Sequence, residues 1–344
     1  MVKTNVGRFF EDYSIGQVIE HACPRSLGTG ERALYHALYP SRHALYSSDT
    51  FAQSCGFKSS PVDDLIVFHI VFGKSVPDIS INAVANLGYA EARWLASVYP
   101  GDTLRSVSTI IGLKQNSNGK TGIVWVRTEG FNQNDVIVMS FVRWVMVRKR
   151  QPNKSSFEPV VPKLKEFVAA ADLVIPINLN FSSYNTVLSG SSYFYDDYKI
   201  GEFIDHTDGV TMTDAEHMMA TRLWQNTAKV HFDTSLRSDG KRLIFGGHII
   251  SMARALSFNG LENLQILAAI NSGAHVNPCF SGDTVYAWSE VLDRNETVIP
   301  SVGAIRLRLV ATKGTAASLR DADNKYSDKV LLDLDYWAFI PRQC

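Results

Sequence analysis

Residues Phe10–His21 read F-E-D-Y-S-I-G-Q-V-I-E-H, and residues Tyr195–His206 read Y-D-D-Y-K-I-G-E-F-I-D-H. The second string lies 185 positions after the first, and most aligned pairs are identical or alike in kind. Chance rarely produces a match of that length, so the chain reads as an internal duplication, and the fold of one copy decides the fold of both. The same offset carries Asn86 and Gly88 onto Asn271 and Gly273. The register then slips by four, because Pro100-Gly101-Asp102-Thr103-Leu104 answers to Ser281-Gly282-Asp283-Thr284-Val285. Trp144 and Trp337 mark the last strand of each copy. The copies are placed at 7–150 and 191–344, with 151–190, a stretch of Pro, Lys and Ser clusters, as the linker that crosses between them.

Each copy opens with a short strand, such as Gln17–His21. A helical run follows at Gly30–Leu38 or Thr213–Asn226, where Thr213 and Glu216 fit a capping box. A second, more apolar helix follows at Asp64–Val76 or His248–Phe258. Alternating, β-branched stretches come next: Leu104–Gly112, Thr121–Gly130 and Val136–Val147 in the first copy, and Val285–Leu292, Ala304–Thr312 and Leu331–Ile340 in the second. One apolar helix followed by consecutive strands implies an α+β class, a helix wrapped by an antiparallel sheet.

Bulk composition excludes several functions. Lys plus Arg equals Asp plus Glu at 34 each in 344 residues, so no basic surplus points to nucleic acid. The cysteines Cys23, Cys55, Cys279 and Cys344 have no C-x-x-C spacing, which argues against a zinc site or a disulfide framework and fits a reducing cytoplasm. Cys55 and Cys279 read as small buried hydrophobes. The N-terminal residues carry no apolar signal core, and no apolar run approaches the ~18 residues of a membrane span, so a soluble protein without a membrane partner is expected.

The candidate chemistry concentrates between Arg222 and His248. R-L-W-Q-N-T-A-K-V-H-F-D offers an amide at Asn226, an imidazole at His231 and a carboxylate at Asp233, and Gly246-Gly247 then opens an apolar helix. Together these supply acid–base groups beside a backbone anion site. The bland alternatives are a hydrogen-bonded core histidine and an ordinary glycine turn. His69, in V-F-H-I-V, reads as a satisfied helix histidine at the position offset from Arg254. His21 and His206 recur after matched strands and read as structural. The R-W-V-M-V-R-K-R run at Arg143–Arg150 alternates as a last strand with a charged end rather than as a membrane patch.

The order of elements, with a Gly-Asp-Thr turn after the central helix, resembles the hot-dog fold of the MaoC-like R-specific enoyl-CoA hydratases. Their signature, D-x-N-P-[LIV]-H-x-D followed by H-G at the central helix, is matched here by Asn226–Asp233 and Gly246-Gly247. His231, Asp233 and Gly247 hold family positions, whereas Asn226 replaces the aspartate and Gly246 the second histidine. The first copy has Ser41 and Tyr46 at the corresponding places and Asp63-Asp64 at its helix. The resemblance therefore implies an α+β double hot dog with a degenerate N-terminal and a competent C-terminal repeat. Longer runs, L-I-V-F-H-I-V-F-G-K at Leu65–Lys74, V-P-D-I-S at Val76–Ser80 and G-G-H-I-I-S-M-A-R-A-L-S-F-N-G at Gly246–Gly260, resemble the branch of that family acting on mesaconyl-CoA.

What the resemblance implies is reversible hydration of mesaconyl-CoA (2-methylfumaryl-CoA) to β-methylmalyl-CoA by a cytoplasmic homodimer in a carbon-assimilation route such as the ethylmalonyl-CoA pathway. No metal or redox cofactor is implied, coenzyme A being part of the substrate. His231 would carry the proton, and Gly247 would offer its N–H to the thioester oxygen. An asparagine holds water but is no base. Either His231 acts alone with Asp233 orienting it, or a carboxylate such as Asp233 takes the aspartate's part. The substrate's free carboxylate calls for a cation. Arg254, two turns after Gly247 on the same face, is the first choice, followed by Arg222 and Arg42. Gly246, His248 and Tyr46 complete the expected binding set, with Ser41 and Tyr46 shaping the acyl pocket. The competitors are a sister hydratase for another enoyl-CoA, a hot-dog thioesterase, and a non-catalytic acyl-CoA binder.

Overall fold

The computed structural model describes residues 3–152, 158–315 and 318–343. The first half runs β1 (Val18–Glu20), β2 (Arg25–Ser26), α1 (Thr29–Leu38), α2 (Ala44–Ser47), α3 (Asp49–Ser54) and α4 (Asp64–Ile79), then β3 (Ala83–Trp94), β4 (Thr103–Gln115), β5 (Thr121–Phe131) and β6 (Ile137–Arg148). After α5 (Thr186–Ser189), the second half runs β7 (Phe203–Thr211), α6 (Asp214–Leu223) and α7 (Gly246–Leu256), then β8 (Ile266–His275), β9 (Thr284–Glu296), β10 (Val302–Lys313) and β11 (Val330–Pro341).

All strands join one antiparallel sheet in the order β1-β4-β5-β6-β3-β8-β11-β10-β9-β7, with β2 also on β4. That order is a palindrome about the β3·β8 pair, whose register sets Tyr89 against Gly273 and Ala92 against Ile270. Each half wraps one long helix, α4 or α7, which is apolar nearly all round and buried along nearly its whole length, as a helix enclosed by sheet must be.

The duplication extends to individual hydrogen bonds. Asp12 accepts from the Phe9 N–H (2.9 Å) as Asp197 does from Phe194 (2.7 Å). In the Gly-Asp-Thr turns, Asp102 accepts from Tyr99 N–H (2.8 Å) and Asp283 from Phe280 N–H (2.9 Å). His21 is held between Asp78 (2.8 Å) and Ser108 (2.7 Å), and His206 between the Asn259 carbonyl and Ser289, both at 2.8 Å. Both histidines thus have each ring nitrogen engaged in scaffolding.

Three details differ from the sequence expectation. The strands β3 and β8, which join the halves, carry no clear alternation. The helix α6 stops at Leu223, short of Asn226. The two tryptophans are not equivalent: Trp144 faces Gly88 across β3·β6, whereas Gly273, the counterpart of Gly88, faces Leu334 and Trp337 faces Ala269. Part of the expected linker, residues 153–157, lies outside the described residues. The rest is a strap: Val160 bridges to Leu113, the Val168 N–H donates to Asn271 (2.9 Å), and the Phe181 N–H donates to Ser301 (3.0 Å).

Candidate active site

The site is built around the head of α7. Thr213 caps α6, accepting from the Glu216 N–H (3.3 Å), and the chain leaves that helix through Gln225 at φ +56°. The turn lies directly on α4, where Gly73 makes room. A Cβ there would strike the Trp224 carbonyl and stand 3.3 Å from the Asn226 nitrogen. Lys74, next along α4, is buried and donates to the Gln225 side chain (2.7 Å) and to the Cys23 carbonyl. Asn226 is buried in turn, its Oδ1 accepting from the Ala228 N–H at 2.9 Å.

That turn delivers His231 to a buried position 5.2 Å from the Phe245 ring. Its Nδ1 lies 2.9 Å from the Leu243 carbonyl. A carbonyl only accepts, so Nδ1 carries the proton and Nε2 presents a lone pair. Burial lowers the imidazole pKa to about 4, and the bond to Leu243 offsets only part of that shift. The base is therefore neutral at physiological pH.

Five of the nine histidines gather around the glycine pair. His217 accepts from the Phe245 N–H (2.9 Å) and so fixes the approach to α7. The His275 ring occupies the space that a Cβ on Gly246 would need, and its Nε2 lies 3.1 Å from the Tyr89 hydroxyl. His69, reaching across from α4, sets its Nδ1 2.8 Å from where a Cβ on Gly247 would stand. His248 is wholly buried, with Nδ1 on the Tyr39 hydroxyl (2.7 Å) and no partner for Nε2 among the described residues. Burial pushes His248 and His275 down to about 4 and His217 to about 3. No side chain caps α7, and its His248 N–H turns back to the Phe245 carbonyl (2.9 Å); an uncapped helix head of this kind suits an anion. Among the described residues, no group of three or more His, Cys, Asp or Glu is arranged to hold a metal ion.

Several expected members lie elsewhere. Asp233 is exposed and bonds its own neighbour, accepting from the Ser235 N–H (2.9 Å) and hydroxyl (2.6 Å), so the group orienting His231 is the Leu243 carbonyl. Arg254 shares its helix with Gly247 but sits two turns away, at the head of the opposite helix. There it donates to the Leu264 carbonyl and to Ser257 (3.2 Å) and lines a small cavity with His43, Tyr46, Asp63, Asp64, Gln265 and Leu267. Tyr46 is in that same cavity, its hydroxyl donating to Asp64 at 2.5 Å. Arg222 is exposed, and Arg42 lies exposed over the Phe258 ring at 4.9 Å. None of the three arginines faces the glycine pair. Besides Arg254, two buried cations have no carboxylate partner among the described residues: Lys74, and Arg143, which bonds Ser75 (2.7 Å) and Ser80 (2.8 Å) over the Phe72 ring.

Sequence reasoning passed over His217 and His275 altogether and treated His69 as scaffold. The signal available for His69 was its offset from Arg254: both positions face the head of the opposite helix.

The model of the mesaconyl-CoA hydratase family matches residues 2–320. The chain is 64% identical over 343 residues to the mesaconyl-CoA hydratase of Cereibacter sphaeroides, covering 99% of this chain and all of the relative. It is 54% identical over 350 residues to the β-methylmalyl-CoA dehydratase of Chloroflexus aurantiacus, covering 99% of each. The crystal structure of a MaoC-domain dehydratase from Chloroflexus aurantiacus superposes with a TM-score of 0.98 at 54% identity over both full chains. A Mycobacterium tuberculosis protein described as a double hot-dog fold superposes with a TM-score of 0.78 at 22% identity, covering 98% of this chain and 99% of its own. The fold is the α+β double hot dog.

Proposed function

The chain belongs to the mesaconyl-CoA hydratase family, and we propose from that premise that it hydrates mesaconyl-CoA reversibly to β-methylmalyl-CoA at the head of α7. The chain is a hydro-lyase acting on a CoA thioester. The observation that carries the assignment of the site is His231, held by the Leu243 carbonyl with its Nε2 lone pair free, packed on Phe245 beside an uncapped helix N-terminus.

Hydration joins water oxygen to the β-carbon and a proton to the α-carbon, with charge building on the thioester oxygen between the two events. In this site His231 Nε2 takes the proton from water as its oxygen attacks, and the same imidazole can return a proton to the α-carbon. The net change is one water added, with no electrons gained or lost. The Gly247 N–H, at the positive end of α7, meets the thioester oxygen. Asn226 keeps its amide N–H groups and one further lone pair to position the water, since one pair accepts from Ala228. Lys74 holds the turn that carries it.

The chemistry requires no cofactor beyond the coenzyme A of the substrate. A cytoplasmic homodimer is the setting proposed with it; among the described residues, no helix is long and apolar enough to cross a membrane.

The test is to mix purified protein separately with mesaconyl-CoA and crotonyl-CoA and follow enone absorbance, product mass and free thiol. Loss of absorbance with mesaconyl-CoA, a gain of one water and no thiol is the expected result. Preference for crotonyl-CoA overturns the substrate, and released thiol overturns the reaction.

A further inference from the structure

The two helix heads are built by exchange. Arg254 of α7 reaches the head of α4 and lines its cavity beside Tyr46, the residue offset by 185 from His231. The residue offset by 185 from Arg254 is His69 of α4. It makes the reciprocal crossing to the head of α7, with Nδ1 2.8 Å from the Cβ position of Gly247.

The hydrogen bonds accommodate a His69 protonated at Nδ1. The Tyr35 hydroxyl donates to Ser251 Oγ (3.1 Å), and the serine hydroxyl can in turn donate to His69 Nε2 (2.9 Å). An imidazole that accepts at Nε2 carries its proton on Nδ1 when neutral. Full burial keeps it neutral, and the Trp224 ring, 4.3 Å away between centroids, holds its plane.

We propose that His69, from the repeat lacking the acid–base motif, is a catalytic residue of the other repeat, its Nδ1–H serving with the Gly247 N–H as a second donor to the substrate's thioester oxygen. The proposal rests on the hydratase reading of the α7 head. The competent site is then composite. One repeat supplies the base and the helix terminus, and the other supplies a donor in the oxyanion site.

Two amide variants separate this role from packing. In His69→Asn the amide nitrogen takes the place of Nδ1, whereas in His69→Gln it takes the place of Nε2 and keeps only the contact with Ser251. With mesaconyl-CoA, His69→Gln is expected to lower kcat about 100- to 1,000-fold with KM changed less than about threefold, and His69→Asn to stay within about tenfold of wild type. The second readout is the infrared stretch of a ¹³C-labelled thioester carbonyl in bound methylsuccinyl-CoA, which cannot react. It should move to lower frequency on wild type and His69→Asn, and less on His69→Gln. Equal kcat in the two variants, the reverse order, or an identical carbonyl band overturns the proposal. Failure of wild type to hydrate mesaconyl-CoA would instead overturn the substrate reading, and the carbonyl band would still report on His69.

Discussion

The heads of α4 and α7 occupy equivalent places in matched halves, yet only one carries the protein's own carboxylates. At α4 the chain reads Ser60-Pro61-Val62-Asp63, and the Asp63 carboxylate accepts from the Leu65 N–H at 2.9 Å. Asp64 beside it accepts from the Leu267 N–H (2.8 Å) and the Tyr46 hydroxyl (2.5 Å). Burial raises these carboxyls to about 6 and about 7. At α7 the chain reads Phe245-Gly246-Gly247-His248, and no side chain accepts from the first turn. The helix terminus attracts negative charge in both halves. In one half the protein has placed its own carboxylates there, and in the other, under the proposed function, the place is left for substrate. A hot-dog repeat can therefore lose its site while keeping its fold, by occupying the anion position from within.

The largest expected effect tests that division directly. His231→Ala removes the only base proposed at α7 and should lower kcat about 1,000- to 10,000-fold. Tyr46→Phe, at the corresponding position of the first half, should leave kcat within about twofold while weakening stability by about 1 kcal/mol through the lost bond to Asp64. Comparable rate losses would mean that both heads take part in chemistry. With its pKa held at about 4, His231 is the free base above that pH and is protonated below it, so the acid limb of kcat/KM should fall near pH 4 rather than 6.5.

Gly247→Ala probes the glycine pair. Its Cβ would stand 2.8 Å from His69 Nδ1 and press on the Phe245 ring, so the imidazole must move from the helix head. Steady-state kinetics should show about a 100-fold loss in kcat.

Arg254→Met sharpens the contrast from the other side. Arg254 serves the α4 head, bonding the Leu264 carbonyl and Ser257 there. Its loss should cost about 2 kcal/mol in urea unfolding while the preference for mesaconyl-CoA over crotonyl-CoA stays unchanged. A collapse of that preference would return Arg254 to the role of substrate-carboxylate binder.

How much was legible follows from which contacts are local. The duplication, the two central helices, His231 and Gly247 stand in the sequence because each rests on a short contiguous pattern. The strands β3 and β8 do not, since A-V-A-N-L-G-Y-A-E-A-R-W and I-L-A-A-I-N-S-G-A-H are rich in Ala and Gly, and their strand character comes from pairing with each other across the two halves. Arg254 stands apart from Gly247 through rise rather than rotation: seven residues return to the same helix face but about 10 Å further along it. His69, His217 and His275 are invisible for a related reason. They reach the head of α7 from three elements, one of them in the other half of the chain, and only the fold brings them together.

The smallest expected effect concerns Asp233, which the family pattern places two residues after the base. Its carboxylate caps the short turn Thr234–Leu236 and bonds only Ser235, in solvent. An exposed cap of this kind contributes about 0.5 to 1 kcal/mol to its turn, and asparagine caps as well as aspartate. Asp233→Asn should therefore change kcat by less than about twofold and leave the urea midpoint in place, because His231 takes its orientation from the Leu243 carbonyl, which the substitution does not touch. A rate loss of tenfold or more would mean that the carboxylate turns inward when substrate binds, and that the charge missing at Asn226 is supplied from position 233.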